Sequence, residues 1–285
     1  MGSFRNGIAV LGTRHGKEAV IVPTLRAELG LEVELLSTLD TDRFGTFTRD
    51  VPRLSTARET VRAKALAALV EHGRAAFGIA SEGSFGPHPR IPFVAGGIEV
   101  VLLIEKSTGL ELAGVDVTTE TNFASKEVDT LEEALAFAAE VSFPSHGVIA
   151  MACEHGKPAP RLGITKGIVD AGVFEEAVKG VLRAHTRAWI ETDMRAHVNL
   201  TRMRSIERAT FDLARVAMSL CPSCACPGYV VVEYVAGLPC GDCGLPTGRA
   251  RAEVLACSGC GRREERPVAG GPTEASAFNC ERCNP

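Results

Sequence analysis

Eight cysteines near the C-terminus have the spacing of metal ligands. They form four Cys-x-x-Cys pairs, and this spacing lets a tight turn point two thiolates at one ion. Eight thiolates match two tetrahedral sites, so the sequence predicts two structural Zn²⁺ ions. The pairs are Cys221/Cys224, Cys240/Cys243, Cys257/Cys260 and Cys280/Cys283.

Two other uses of these thiols are weighed against zinc. A disulfide framework requires an oxidising compartment, and the sequence shows no export signal. An iron–sulfur centre stays open because thiolate ligands alone do not exclude it. The pairing is open as well: sequential pairing joins the first pair to the second and the third to the fourth, and nested pairing is the main alternative. Cys153 and Cys226 fall outside the pairs, and we expect them to pack as small apolar side chains.

The cysteine-rich tail, residues 221–285, is predicted to be a zinc-ribbon domain with a structural or protein-contact role. Sites closed by four thiolates leave no coordination position for catalysis. The tail carries six Arg, no Lys and seven Asp or Glu. Because a surface that follows phosphates should be positive, nucleic acid is not an expected partner.

Residues 1–220 alternate between strand and helix patterns. The class expected is therefore α/β, a mixed sheet with flanking helices followed by the small zinc-ribbon domain. We predict strands over 7–13, 31–37, 75–81, 98–105, 110–119 and 146–152, and helices over 16–29, 56–71, 130–140, 172–191 and 203–219.

Composition limits the class of protein. The chain has 285 residues, 45% hydrophobic and 23% charged, with a formal net charge of -4, which favours a globular fold over disorder. The densest apolar run, residues 100–104, is too short to span a bilayer. We expect a cytoplasmic protein with no membrane segment. The oligomeric state stays open, and a homo-oligomer is compatible with the sequence.

Polar clusters follow the first predicted strands, where α/β proteins usually place their chemistry. Arg14, His15 and Lys17 lie between the first strand and the helix after it, and exposed amides with basic side chains there suit a phosphate. Glu59 and Lys64 lie on the next helix. The alternative interpretation of both clusters is a set of solvated charges.

A third cluster begins where the strand over 75–81 is expected to end. Glu82 follows that strand, and Ser84 lies in the glycine-containing loop predicted after it. A carboxylate in this position suits a metal ligand or a general base. A tight turn would also tolerate the acidic residue.

A fourth cluster lies between the last two predicted helices, over residues 191–204. Its density of acidic, basic and amide side chains exceeds what a helix connection requires. Two interpretations stay open: a salt-bridged corner, and a site for a phosphate or a carboxylate. Glu120 and Asn122 end a predicted strand that faces the same cleft. The residues singled out in the cluster are Asp193, Arg195, His197, Asn199 and Arg202.

The order of the motifs resembles the inosine-triphosphate pyrophosphatases and the Maf-type nucleotide pyrophosphatases. Three segments carry the resemblance, which covers roughly residues 7–120; the whole chain also resembles an uncharacterised bacterial family with the same domain pair. The first loop is one residue shorter than in the pyrophosphatases. The segments are Thr13-Arg14-His15-Gly16-Lys17, Glu59-Thr60-Val61-Arg62-Ala63-Lys64-Ala65 and Ser81-Glu82-Gly83-Ser84.

The resemblance implies a function and a set of site residues. Lys17 and Lys64 would contact phosphates, and Glu59 and Glu82 would hold Mg²⁺ while water attacks the α-phosphorus and pyrophosphate leaves. Further candidates for the ion are Asp40 and Asp42.

The leading hypothesis is a Mg²⁺-dependent hydrolase, or related transferase, acting on a nucleotide or another phosphorylated small molecule. The alternative is a non-catalytic zinc-ribbon adaptor or sensor that binds a small anionic ligand, a protein or a nucleic acid. Another enzyme chemistry on the same scaffold is the third possibility, since a fold does not fix a function.

Overall fold

A computed structural model describes residues 4–45 and 55–285 of the chain. The chain forms two compact units, an N-terminal unit that ends at Ala214 and a C-terminal unit over Arg215–Pro285. Among the described residues, no helix is both long enough and apolar enough to cross a membrane.

The first sheet of the N-terminal unit has five strands in the order β2-β1-β3-β4-β5. β1 runs parallel to β2 and β3, whereas β4 is antiparallel to both of its neighbours. The sheet is therefore mixed. Its strands are β1 (Ile8–Leu11), β2 (Glu32–Leu35), β3 (Phe77–His88), β4 (Ile91–Glu105) and β5 (Glu111–Thr118).

Two helices connect the parallel strands. Helix α1 (Glu18–Leu29) leads from β1 to β2, and helix α2 (Ala57–His72) leads from β2 back across the sheet to β3. Because both crossovers are expected to be right-handed and they run in opposite directions, the helices lie on opposite faces. The direction reverses at the carboxyl ends of β1 and β3, which is where open α/β sheets bind ligands.

β3 is longer than the sequence predicts. We expected a strand over 75–81 followed by a loop, but β3 continues to His88 and pairs with β4 along most of its length. β1 ends at Leu11, opposite Ile79 of β3. Because pairing with β4 satisfies the backbone groups of the predicted loop, Glu82 and Ser84 lie within a strand.

The second sheet of the N-terminal unit also has five strands, in the order β6-β10-β7-β8, with β9 on β7. Two helices cover an apolar core that includes Phe137, Phe174 and Ile190. The elements are β6 (Ser125–Val128), α3 (Leu131–Glu140), β7 (Val148–Glu154), β8 (Lys157–Pro158), β9 (Ile164–Ile168), α4 (Ala171–His185) and β10 (Ala188–Thr192).

The predicted helix over 172–191 is wrong at its C-terminal end. α4 stops at His185 because Thr186 adopts a left-handed conformation with φ 61° and donates its amide to the carbonyl of Leu182. The chain then forms β10, which pairs with β6 and β7. The fourth polar cluster therefore lies between a strand and helix α5 (Leu200–Met218), not between two helices.

The C-terminal unit is built on one small sheet. Its three strands are antiparallel in the order β11-β12-β13, with segments of the cysteine pairs at both ends. The strands are β11 (Val230–Ala236), β12 (Ala250–Ala256) and β13 (Arg263–Pro267).

Candidate functional site

Three consecutive residues of β3 each meet a basic side chain from a different helical segment. The Lys17 ammonium donates to the Ser81 carbonyl at 3.3 Å, and the Lys64 ammonium lies 2.6 Å from Oε2 of Glu82. At the third residue, Gly83, a Cβ atom would lie only 2.8 Å from the Arg202 guanidinium. The β3 cluster denotes these basic residues with their carboxylates: Lys17, Lys64, Glu82, Glu99 and Arg202.

Local structure explains how the basic groups reach β3. Lys17 is the residue before α1, which follows β1 directly, and Lys64 lies on the buried stripe of α2. Arg202 is in the first turn of α5, whose start is fixed by Asn199, since the Asn199 side chain accepts the Arg202 amide at 2.9 Å. Asn199 also donates to Asn122 at 2.9 Å.

Arg202 and Glu99 form a fully buried ion pair. Nε of Arg202 lies 2.6 Å from Oε1 of Glu99, and the two side chains are 2% and 0% exposed. Arg202 also donates to the carbonyl of Met194 and lies over the ring of Phe85, 5.3 Å from its centroid. Such a pair offsets its desolvation fully only when further hydrogen bonds satisfy both groups. The Met194 carbonyl does this for part of the guanidinium, whereas Oε2 of Glu99 has no partner among the described residues.

Lys17 lacks a carboxylate partner among the described residues, although it is only 7% exposed. The pKa of Lys17 is lowered to about 7, first by burial and then by the neighbouring charge of Arg202, with a smaller contribution from Lys64. The nearby Glu99 and Glu82 carboxylates act in the opposite direction. Below about pH 7, where Lys17 carries its charge, the β3 cluster holds three basic groups against two acidic ones, an arrangement that favours a negatively charged guest.

Two buried oxygen atoms of the same region have no hydrogen-bond partner within the described part of the chain. They are the hydroxyl of Ser81 and Oε2 of Glu99. Buried polar groups are normally satisfied by protein, water or a ligand, and leaving them unpaired is costly. Together with Lys17, which has no carboxylate partner among the described residues, they leave hydrogen-bonding capacity that a water molecule or an anion would satisfy.

Part of the fourth cluster is a salt-bridged corner. Asp193 is fully buried and lies 2.6 Å from Nη2 of Arg195, and its carboxylate also accepts the amide of Gly167 at 2.9 Å. These contacts fix the chain between β10 and α5. The structure therefore divides the cluster, because Arg202 joins the β3 cluster whereas Asp193 and Arg195 hold the corner.

Two histidines bring the first loop and the fourth cluster together. The rings of His15 and His197 stack with centroids 5.0 Å apart, and Gly16 also approaches His197. Burial and the charge of Arg195 lower the pKa of His197. Arg14 precedes His15 in the sequence. Its side chain is exposed, and Nη1 lies 3.4 Å from Oδ1 of Asp40.

Glu59 does not join the lysines. Its carboxylate is exposed and accepts the amide and the hydroxyl of Thr56, each at 2.8 Å, which completes a capping box at the start of α2. Hydrogen bonds from the Thr56 amide and hydroxyl lower the pKa of Glu59. The expectation that Glu59 and Glu82 share an ion is therefore corrected: Glu59 serves the helix end.

Two of the remaining candidates lie at the surface. Ser84 and Asp40 are exposed, and the side chain of Asp42 lies outside the described part of the chain. Glu99 was missed by the sequence predictions. The only sequence signal is a single charge inside the apolar run over 96–104. Without knowledge of its partner on α5, this charge is indistinguishable from a solvent-facing residue of an ordinary strand.

The eight paired cysteines form two groups that can each hold a metal ion. Within each group the four sulfur atoms lie within 4.8 Å of one another. The structure joins the first Cys-x-x-Cys pair to the third and the second to the fourth, so neither sequential nor nested pairing is correct. The groups are Cys221, Cys224, Cys257 and Cys260, and Cys240, Cys243, Cys280 and Cys283.

The interleaved pairing follows from the antiparallel sheet. The first pair precedes β11 and the third follows β12, so both lie at one end of the hairpin. The second pair lies in the β11–β12 connection at the other end, where the chain after β13 brings the fourth pair. Each group therefore closes one end of the sheet.

Backbone amides favour the thiolate form in both groups. The amide of Cys260 lowers the pKa of Cys257 to about 6, and the amide of Cys283 lowers the pKa of Cys280 to about 7. Thiolates are the form that binds metal. Cys226 is half-buried against the first group, and Cys153 is buried in the N-terminal unit, where burial raises its pKa.

Comparison with protein-family models finds a match over residues 64–285, more than three quarters of the chain. The matching family is described as Domain of unknown function (DUF6671). No curated protein matches the chain.

Proposed function

Because the chain belongs to the DUF6671 family, whose description gives no activity, we propose a function from the geometry of the β3 cluster. The N-terminal unit is a Mg²⁺-dependent hydrolase, or related transferase, that acts on a phosphorylated small molecule. The C-terminal unit is a structural zinc-ribbon domain.

The observation that carries the proposal is the convergence of Lys17, Lys64 and Arg202 on residues 81–83 of β3. The cluster lies beyond the carboxyl end of β1, where the crossover direction of the sheet reverses. Lys64 with Glu82 and Arg202 with Glu99 approach opposite faces of the strand, because successive strand residues alternate in direction. Buried basic groups at that position suit a phosphate, because its charge offsets the excess positive charge of the cluster.

The more specific substrate that we propose is a nucleotide. The order of β1, α1, β2, α2 and the β3–β4 hairpin supports the resemblance to the inosine-triphosphate and Maf-type pyrophosphatases, as does the meeting of Lys17, Lys64 and Glu82. Because Glu59 caps helix α2, the structure gives no support to the metal-ligand role that the pyrophosphatase resemblance implies for this residue.

Mg²⁺ fits this site as an ion that arrives with the substrate. Among the described residues, only the two cysteine groups bring three or more metal-binding side chains together, so the β3 cluster offers too few carboxylates for an all-protein site. Mg²⁺ commonly binds one or two carboxylates together with phosphate oxygens and water. Glu82 is the candidate carboxylate, and the ion would disperse the charge of the leaving group.

Zn²⁺ is the metal proposed for both cysteine groups. Four thiolates in a closed tetrahedral set suit zinc, and the C-terminal unit has few buried apolar side chains outside the cysteine groups. Elemental analysis of the purified protein should find two zinc ions per chain. One ion, or iron in place of zinc, would contradict this part of the proposal.

Turnover tests the enzymatic proposal directly. The full-length protein would be incubated with Mg²⁺ and a panel of nucleoside triphosphates and sugar phosphates, and release of pyrophosphate or phosphate would be measured. We expect turnover of at least one compound and its loss in Lys17→Met. This variant breaks no ion pair among the described residues, so it should fold. Lys126→Met, at an exposed lysine, is the matched control.

A non-catalytic sensor is the second candidate. It is favoured by the Lys64–Glu82 and Arg202–Glu99 pairs, which already compensate most of the buried charge. The sensor would bind phosphorylated ligands through Lys17 without turning them over. Saturable binding with no product from any compound would therefore replace the hydrolase by the sensor. Equal behaviour of Lys17→Met and the wild type would exclude both.

A further inference from the structure

The unpaired oxygen atoms near Lys17 lie on one face of the first sheet. In the β3–β4 ladder Gly83 is opposite Glu99, and Ser81 is opposite Val101. Directly opposite residues of an antiparallel pair share a face, and so do residues two apart on one strand. Ser81 and Glu99 are therefore diagonal neighbours on the same face.

The two atoms differ in what they can do. Oε1 of Glu99 accepts from Arg202, and Oε2 of the same carboxylate has no partner among the described residues. An ionised carboxylate only accepts hydrogen bonds, whereas the hydroxyl of Ser81 both donates and accepts. Lys17 has three N–H donors, of which one is used by the Ser81 carbonyl.

The site therefore combines a cation and a hydroxyl with one buried acceptor. A fully deprotonated anion satisfies the cation and the hydroxyl, but its oxygen atoms would face the lone pairs of Glu99. An anion that keeps a proton satisfies all three groups, because its own hydroxyl donates to Glu99. Both buried oxygen atoms then have partners, as buried polar groups require.

We infer that the β3 cluster selects a phosphate group that carries a proton, with Lys17 and Ser81 donating to its oxygen atoms and Oε2 of Glu99 accepting its P–OH. The ligand class is hydrogen phosphate, free or as the protonated terminal group of a larger molecule. Sulfate, which has the same shape and no proton near neutral pH, is rejected. This inference rests on the proposed function, since it concerns the same anion site.

Binding of inorganic phosphate and of sulfate to the full-length protein tests the selection. Isothermal titration calorimetry would be carried out below pH 7, where Lys17 is protonated. We expect phosphate to bind at least about tenfold more tightly than sulfate, because sulfate leaves a buried charged acceptor unpaired. Methyl phosphate should bind in its protonated form, and dimethyl phosphate, which lacks a P–OH, should bind like sulfate.

Two variants assign the selection to Glu99 and Ser81. Glu99→Gln keeps an oxygen for Arg202 and presents an amide N–H in place of Oε2, so it should remove or reverse the preference for phosphate over sulfate. Ser81→Ala deletes one donor and should weaken both anions to a similar extent. Because Ser81 makes no side-chain hydrogen bond to described residues, this variant should fold even where Glu99→Gln does not.

The outcomes separate this inference from the proposed function. Equal affinity of the wild type for phosphate and sulfate would overturn the selection and leave the anion site standing. A preference that persists unchanged in folded Glu99→Gln would also overturn it. Failure of both anions to bind the wild type would overturn the anion site and the selection together.

Discussion

Lys17 is a buried lysine whose ammonium has a backbone carbonyl as its only hydrogen-bond partner among the described residues. Its type and its place after the first strand were predicted from the sequence, because a basic residue before a helix is a local signal. The approach of Arg202 and Glu99 could not be predicted, since those residues are brought there by contacts across two sheets. A local pattern identifies a candidate, and only tertiary structure gives the charge around it.

The lowered pKa of Lys17 predicts how stability changes with pH. Between about 7, its pKa in the folded protein, and 10.5, its ordinary value, the unfolded chain binds more protons at this position. Stability from this group therefore rises as pH rises through that window. Urea unfolding followed by the single tryptophan, Trp189, should show a smaller rise in Lys17→Met. Identical pH dependence in both proteins would show that Lys17 does not titrate there.

Gly83 predicts a second effect at the residue scale. A Cβ atom there would lie 2.8 Å from the Arg202 guanidinium and closer still to Glu99, so Gly83→Ala should disrupt their buried pair at a cost of about 3 kcal/mol. Gly86→Ala on the same strand is the matched control, because a Cβ atom there meets nothing within 4 Å. Urea unfolding midpoints measure both. Equal losses would mean that the cost comes from the strand backbone.

The helices and strands differ in how accurately their boundaries can be predicted from the local sequence. α2 was predicted over 56–71 and is observed over Ala57–His72, because a capping box marks its start and its inner stripe is regular. β3 and α4 were misjudged at their ends, where pairing with β4 and the left-handed Thr186 decide the boundary. Boundaries set by distant strands are not encoded in the local pattern.

Glu59 gives the test at the scale of an element. Glutamine at this position also completes a capping box, so Glu59→Gln should change stability by less than about 1 kcal/mol. Phosphate binding and any turnover should be unchanged, because Glu59 is exposed at the helix end. Calorimetry and the turnover assay measure both. A folded Glu59→Gln protein without turnover would restore the metal-ligand role implied by the pyrophosphatase resemblance.

At the scale of the whole molecule, the chain combines an α/β unit with a cysteine-rich unit. The sequence predicts a separate tail because nine of the ten cysteines lie within residues 221–285. Their interleaved pairing could not be predicted, since it depends on which ends of β11, β12 and β13 meet. Ligand spacing identifies the pairs, and sheet topology decides which pairs share an ion.

Removing the last cysteine pair tests the interleaved arrangement. In the double variant Cys280→Ser, Cys283→Ser, one zinc ion should be lost, and Cys240 and Cys243 should become reactive toward alkylation. Cys257 and Cys260 should stay protected because their group is intact. Mass spectrometry of the alkylated protein identifies the reactive thiols. Exposure of Cys257 and Cys260 instead would support sequential pairing.

The central claim is that the β3 cluster binds phosphate through Lys17, and a calorimetric titration of inorganic phosphate across neutral pH tests it most directly. In the wild type and in Lys126→Met, affinity should fall as pH rises through about 7, the pKa of Lys17. Lys17→Met should bind phosphate weakly at every pH. Phosphate affinity that is the same in Lys17→Met and the wild type, with both proteins folded, would contradict the account.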